Sequence, residues 1–274
     1  MQRATQHRPE TLEAHRSAVG RAIQLMRQDP GATLDWTTLA EIACMSRYHF
    51  LRIFEGLTGV SPHRFLIALR IESAKQLLLE TAMEVNDVCL AVGYSSLGTF
   101  TRVFRELVGV APGGFRQLAQ KLAEPGLQLL LAEHLNRRIH FYPRNALRAE
   151  LQVPETFVGN IFAGLFNAQL QPLTPPTLSL MRQSRTVCMP VAGGITEARL
   201  LAIGFPDPVQ AHQYFLPDRQ LPLAVSPAMA TFPGEPSATS SIFLKLQTPG
   251  IFDLPLMTCL PLMLLKAVDT KHLE

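Results

Sequence analysis

The chain has 274 residues with a formal net charge of +3 at pH 7, a length that suits about two domains. Charge and proline are unevenly spread: residues 1–148 hold 18 Lys and Arg against 13 Asp and Glu (+5), the remainder 7 against 9 (−2), and 15 of the 21 prolines follow residue 148. A helical first half with a polyanionic partner and a turn-rich, mainly β second half follow from that split. The cysteines (Cys44, Cys89, Cys188, Cys259) form no Cys-x-x-Cys pair, which excludes zinc-ligand spacing and a disulfide framework and favours a reduced, cytoplasmic setting. Cys44 and Cys89 sit beside small apolar residues and are expected to be buried thiols.

Met1 to Arg21 is polar and basic without a central apolar run, so no signal peptide is expected. Residues 10–28 place Leu12, Val19, Ala22, Ile23 and Met26 close to helical spacing, and Pro30-Gly31 ends that element. Asp35 is the expected N-cap of a short helix with Leu39, Ile42 and Ala43 inward. Ser46 caps the next helix, Arg47 to Gly56, whose buried stripe is Phe50, Ile53, Phe54 and Leu57. Gly59 closes it, and Pro62 opens a longer helix to about Leu79. A second set follows: Asn86 caps Asp87 to Val92, Gly93 makes the tight turn, and Ser96 caps Leu97 to Leu107. Gly109 ends that helix, and Pro112 opens a last one towards Leu122.

The two sets are copies. FLRIFEGLTGVSPHRF (50–65) and FTRVFRELVGVAPGGF (100–115) align at an offset of fifty, pairing Phe50 with Phe100, Arg52 with Arg102, Phe54 with Phe104, Gly59 with Gly109 and Phe65 with Phe115. Internal repetition decides architecture before other signals do, and here it predicts two helix-turn-helix units. In each unit the second helix buries one face and offers the other. The outward residues are Arg47, Tyr48, His49, Leu51, Arg52 and Glu55 in the first copy, and Leu97, Gly98, Thr99, Thr101, Arg102 and Arg105 in the second. Guanidinium, hydroxyl and aromatic groups of this kind suit base edges and phosphates. With the capping Ser46 and Ser96, the candidate DNA-binding set is Ser46, Arg47, Tyr48, His49, Arg52, Ser96, Thr99, Thr101, Arg102 and Arg105. A helix over residues 62–79 spans about 27 Å, of the order of the roughly 34 Å duplex turn that separates successive major-groove segments on one face.

DVCLAVGYSSLGTFTRVFRELVGVAPGGFR (87–116) resembles the signature of AraC/XylS-type transcriptional regulators, and residues 39–65 resemble that family's first helix-turn-helix. The likeness covers about residues 10–118 and implies an all-α, seven-helix bihelical domain joined by a central rod helix, binding double-stranded DNA. It places Tyr48, Arg52 and Arg102 at positions that commonly contact DNA, and Thr99 and Thr101 at backbone or base contacts. Leu51, Leu97 and Gly98 depart from the polar readers of some relatives. A domain of this kind usually comes last; in this sequence it comes first, as in a minority of relatives that carry a GyrI-type ligand-binding domain after it.

From Glu124 the pattern changes. Residues 125–139 are expected to form a bridging helix, within a 123–150 connection between a 10–122 DNA-binding domain and a 151–274 β-rich one. Apolar runs at 157–166, 177–181, 185–191, 198–205, 221–225 and 240–247, separated by proline, glycine and polar breaks, predict an antiparallel β-sandwich. Residues 206–218 read as a loop or short helical excursion. The stretch 251–265 carries Asp253, Pro255 and Pro261, falls short of the roughly twenty apolar residues of a membrane span, and reads as core or interface.

No Gly-x-Ser-x-Gly, His-Glu-x-x-His, phosphate loop or dinucleotide fingerprint is present. Asp207, His212 and Asp218 read as loop polar residues and Cys188 as part of an apolar strand, so neither an enzyme nor a cofactor is expected. The sequence reading is a DNA-binding regulator whose C-terminal domain senses a small molecule or protein, with RNA polymerase a further partner and no membrane. Its rivals are a protein-interaction module with incidental DNA affinity and a regulator with a GyrI-type C-terminal domain.

Overall fold

The computed structural model describes residues 9–122, 146–167, 178–182, 186–190, 197–207, 211–217, 221, 223–225, 230–231, 241–255, 257, 259–260 and 262. Seven helices come first: α1 (Pro9–Gln28), α2 (Trp36–Ile42), α3 (Arg47–Thr58), α4 (Pro62–Glu80), α5 (Val85–Ala91), α6 (Leu97–Val108) and α7 (Pro112–Leu122). Their starts follow local chemistry. Asp35 accepts from Thr37 N at 3.2 Å, and Ser61 accepts from Arg64 N at 3.4 Å just ahead of Pro62 in the first turn. One start differs from expectation: Glu84, not Asn86, is the N-cap of α5, without a side-chain cap bond. The bond from Val88 N to Glu84 O closes the first turn there and draws Asn86 into the helix.

The turns of the two helix-turn-helix units hold a residue in the left-handed region, Cys44 at φ 55° in the first and Gly93 at φ 83° in the second. Cys44 is accordingly exposed, against the expectation of a buried thiol, because the turn takes it off the inner helix face; Cys89 is buried as expected.

The chain packs as two compact units. One runs to Phe100 and includes Gly250–Leu256; the other runs from Thr101 to Pro249 and continues from Met257. The division falls inside α6, whereas composition changes near residue 122. In the first unit Val19, Ala22, Ile23, Met26, Leu39, Phe50, Phe54, Phe65 and Leu69 share one buried core. Ile251, Phe252 and Leu254 pack against that core, so part of the apolar stretch read as core or interface completes the helical unit. Arg27 Nη2 on α1 donates to Ile251 O at 2.9 Å and Asp253 O at 3.0 Å, and the Arg16 guanidinium lies 4.7 Å from the Phe252 ring centroid.

Arg70 on α4 ties the two turns together. Its Nε donates to Pro30 O at 2.8 Å, Nη2 to Ala32 O at 3.2 Å and Nη1 to Gly93 O at 3.1 Å. The turns meet without side chains between them: a Cβ on Gly31 would collide with the Ala91 carbonyl, and one on Gly93 with the Gly31 carbonyl and, at 2.8 Å, with Arg70 Nη2.

In the second unit the strands are β1 (Ala146–Gln152), β2 (Gly159–Phe166), β3 (Leu178–Arg182), β4 (Thr186–Pro190), β5 (Glu197–Pro206), β6 (Leu223–Val225), β7 (Ala230–Thr231) and β8 (Ser241–Lys245), with a short helix α8 (Ala211–Phe215). They form a three-stranded sheet ordered β4-β1-β8 and a second ordered β3-β2-β5-β6, with β7 also on β5. The predicted runs thus form strands and the 206–218 segment its short helix, while β1 arises where a connection was expected. The pairing is not wholly antiparallel: β1 and β8 run parallel, Ala149 opposite Ile242 and Leu151 opposite Leu244. Nearly ninety residues separate those two strands, so their connection is not a hairpin and does not dictate an antiparallel return. The predicted bridging helix at 125–139 lies outside the described residues. Among the described residues no helix is long and apolar enough to cross a membrane, and no three His, Cys, Asp or Glu gather as metal ligands.

Three outcomes are expected. Gly93→Ala, strained by its φ and by two close contacts, lowers the melting temperature by the equivalent of about 1–3 kcal/mol, read by thermal denaturation. Phe252→Ala costs about 1–2 kcal/mol through lost apolar and cation–π contact, a loss the same melt would register and whose absence would detach residues 250–256 from the helical core. Burial pushes the Glu72 carboxyl on α4 up to about 7 from 4.5, against the opposing pull of Arg27 and Lys75. A carboxyl that takes up a proton on folding contributes most below pH 4.5 and loses that contribution as pH climbs through 7. Glu72→Gln therefore gains melting temperature relative to the parent between pH 5 and pH 8, and parallel pH–stability curves would contradict this.

Candidate nucleic-acid interface

The repeat builds α3 and α6 with the same local devices. Ser46 Oγ accepts from His49 N at 3.4 Å, and Ser96 Oγ accepts from Thr99 N at 3.3 Å. Gly59 at φ 74° and Gly109 at φ 96° end the two helices in the left-handed region, where a Cβ would be strained. Phe50 and Phe54 on α3, and Phe100 and Phe104 on α6, are fully buried. Each inner phenylalanine meets the first turn of the following helix edge-on: Phe54 against Phe65 at 5.5 Å and 87°, Phe104 against Phe115 at 5.7 Å and 75°. An aromatic pair in this geometry contributes about 0.5–1.5 kcal/mol beyond its area, and using it twice rotates the same face of each helix outward.

On α3 that face carries Arg47, Tyr48 and Arg52, all exposed, with Tyr48 at 82% the most open large apolar side chain described. His49 is half-buried and turned towards α1, its Nε2 3.4 Å from His15 Nε2. On α6 Thr99, Arg102 and Arg105 are exposed and Thr101 half-buried. Ser46 and Ser96 also lie open at their caps. Leu97 is 43% exposed, an apolar side chain at the start of this face. Arg102 Nη1 pairs with Glu106 Oε1 at 2.9 Å, with side chains 63% and 52% exposed. A pair this open is worth about 0–1 kcal/mol, little enough for an anion to displace the carboxylate.

Three participants escaped the sequence reading. Glu106 stands four residues after Arg102, a spacing that marks helical neighbours, and was legible. His15 and Arg70 were not, because their partners lie 34 residues or more away, or across the turns, and only folding brings them together. Of the residues weighed for catalysis, Asp207 lies exposed at the end of β5 and Cys188 within β4. His212 opens α8 without a described side chain, and Asp218 lies outside the described residues.

Comparison with known proteins bears on the same stretch. A family model described as a helix-turn-helix domain matches residues 39–118. An uncharacterised HTH-type transcriptional regulator of Haemophilus influenzae is 41% identical over 85 residues, covering 30% of this chain and 28% of the relative. The RCS-specific HTH-type transcriptional activator RclR of Escherichia coli K12 is 33% identical over 105 residues, 38% of this chain and 37% of the relative. The solved DNA-binding domain of AdpA, in complex with a target DNA, aligns at 29% identity and a TM-score of 0.37, covering 38% of this chain and 94% of that one. The chain thus spans about a third of the length of these curated relatives. Repeated caps, repeated aromatic pairs and the matched family agree on that half: residues 39–118 are an AraC-type helix-turn-helix domain.

Proposed function

We propose that the chain is a sequence-specific, DNA-binding transcriptional regulator whose α3 and α6 read adjacent major-groove segments of one operator. The observation that carries this reading is the pair Arg52 and Arg102, exposed at the same place on two helices that are capped, cored and terminated alike. A guanidinium that reaches a guanine edge bidentately is the commonest specific contact, worth about 1–3 kcal/mol of discrimination. Tyr48, Thr99 and Thr101 flank the two arginines as further base or backbone contacts; Arg47 and Arg105 supply phosphate contacts; Ser46, Ser96 and His49 complete the surface. The 19-residue α4 is about 28 Å long, a connector of the order of one duplex turn.

Residues 10–122 are the DNA-binding domain in this reading, 123–150 the connection, and 151–274 a domain that senses a small molecule or a protein, in a cytoplasmic regulator that is not an enzyme and that works with RNA polymerase. One buried core drawing Ala149, Leu151 and Val187 from one sheet and Ile161, Ala163, Leu165 and Leu200 from the other supports a two-sheet sandwich for that domain.

Selection from a random-sequence duplex library, followed by gel-shift titration, tests the reading. Arg52→Ala and Arg102→Ala should each weaken the selected duplex about 10–100-fold while changing non-specific binding little. Variants that hold every duplex as the parent does would end it.

A further inference from the structure

We propose that His15, acting through His49, sets the orientation in which Arg52 is presented to DNA; this rests on the reading of Arg52 given above. Arg52 Nη2 lies 3.4 Å from His49 Nδ1, and His49 Nε2 lies 3.4 Å from His15 Nε2, with the two rings edge-on at 69° and 5.2 Å between centroids. With both imidazoles neutral, these three groups admit one direction of donation. A guanidinium has donors and no acceptor, so Nδ1 of His49 offers its lone pair. The neutral His49 ring then carries its proton on Nε2, and that N–H points at His15 Nε2, which accepts. Donation therefore runs Arg52 to His49 to His15.

The backbone fixes the middle of this chain. His49 sits in the first turn of α3, its N–H bonded to the Ser46 cap, and Arg52 follows at i+3 on the neighbouring helix position. Without His15, the His49 ring is free to carry its proton on Nδ1, which faces the guanidinium with a donor and turns it away. His15 is thus a positioning residue. It comes from α1, outside residues 39–118 matched by the family model. The second copy has no such device: Thr99 stands at the place of His49, and Arg102 is held by Glu106 instead. His15 should consequently govern one half of the operator.

The test uses the full chain and its selected duplex, comparing the parent with His15→Ala, His15→Gln, Arg52→Ala and the double variant His15→Ala with Arg52→Ala. His15→Ala should weaken the selected duplex about 3–10-fold and leave non-specific affinity unchanged. His15→Gln, whose amide oxygen can accept from His49 Nε2–H, should restore most of the loss, and His15→Ala should add nothing once Arg52 is gone. Base preference should relax only in the half-site that Arg52→Ala also relaxes. Should Arg52→Ala weaken binding while His15→Ala leaves it intact, adds its own separate loss, or is not restored by His15→Gln, the positioning role is wrong and the DNA reading stands. Should Arg52→Ala itself be without effect, the DNA reading falls and this inference with it. If His15→Ala melts early, the comparison of His15→Gln with the parent and its coupling to Arg52→Ala decides the question.

Discussion

One guanidinium holds the helical unit to its geometry. Arg70 projects from the connecting helix α4 and saturates three carbonyls, two from the turn after α1 and one from the turn after α5. Charge-assisted bonds of this kind are roughly twice as strong as neutral ones. The guanidinium is planar and cannot rotate one bond without straining the others. The close approach of Gly31 to the Ala91 carbonyl and of Gly93 to the Gly31 carbonyl leaves no slack between the turns. A rod helix by itself sets a separation. Arg70 adds a phase, because it determines how the second turn is rotated about the rod with respect to the first.

The two copies share what is inside and differ in what they show. Caps, left-handed terminators and edge-on phenylalanine pairs recur at an offset of fifty, since each satisfies a demand common to any helix seated on a core: unpaired N–H groups, a chain reversal, apolar area to bury. The exposed faces answer no common demand. Tyr48 and His49 in one become Gly98 and Thr99 in the other, and Arg52 and Arg102 lean on different acceptors, an imidazole and a carboxylate. The two exposed faces are therefore unlike although the helices that carry them are built alike.

The C-terminal part of the chain is not confined to its sheets. Residues 250–256 lie on α1, held by Arg27 and Phe252. In the other unit Cys259 N donates to Val108 O at the end of α6 at 3.1 Å, and Phe115 of α7 meets Phe215 of α8 edge-on at 5.6 Å. Late residues thus meet α1 in one unit and α6 and α7 in the other.

The helical half was legible from residues alone because its signals are local. Ser46, Pro62, Ser96 and Pro112 mark starts, Gly59 and Gly109 mark ends, and the phenylalanines at helical spacing mark the inner face, so the outer face and its arginines follow by geometry. The strands were legible as apolar runs between prolines, but their partners were not: β1 pairing parallel to β8 across almost ninety residues leaves no trace in either segment. Cys44 was misplaced because its left-handed turn is a property of the chain reversal, not of cysteine. The Arg70 tie, the His15–His49–Arg52 chain and the docking of Phe252 on α1 each join groups whose separation along the chain exceeds any helical or strand period. Periodicity places a side chain on a face; only the packed structure supplies what that face meets, because such a contact must outweigh the entropy of ordering two distant segments together.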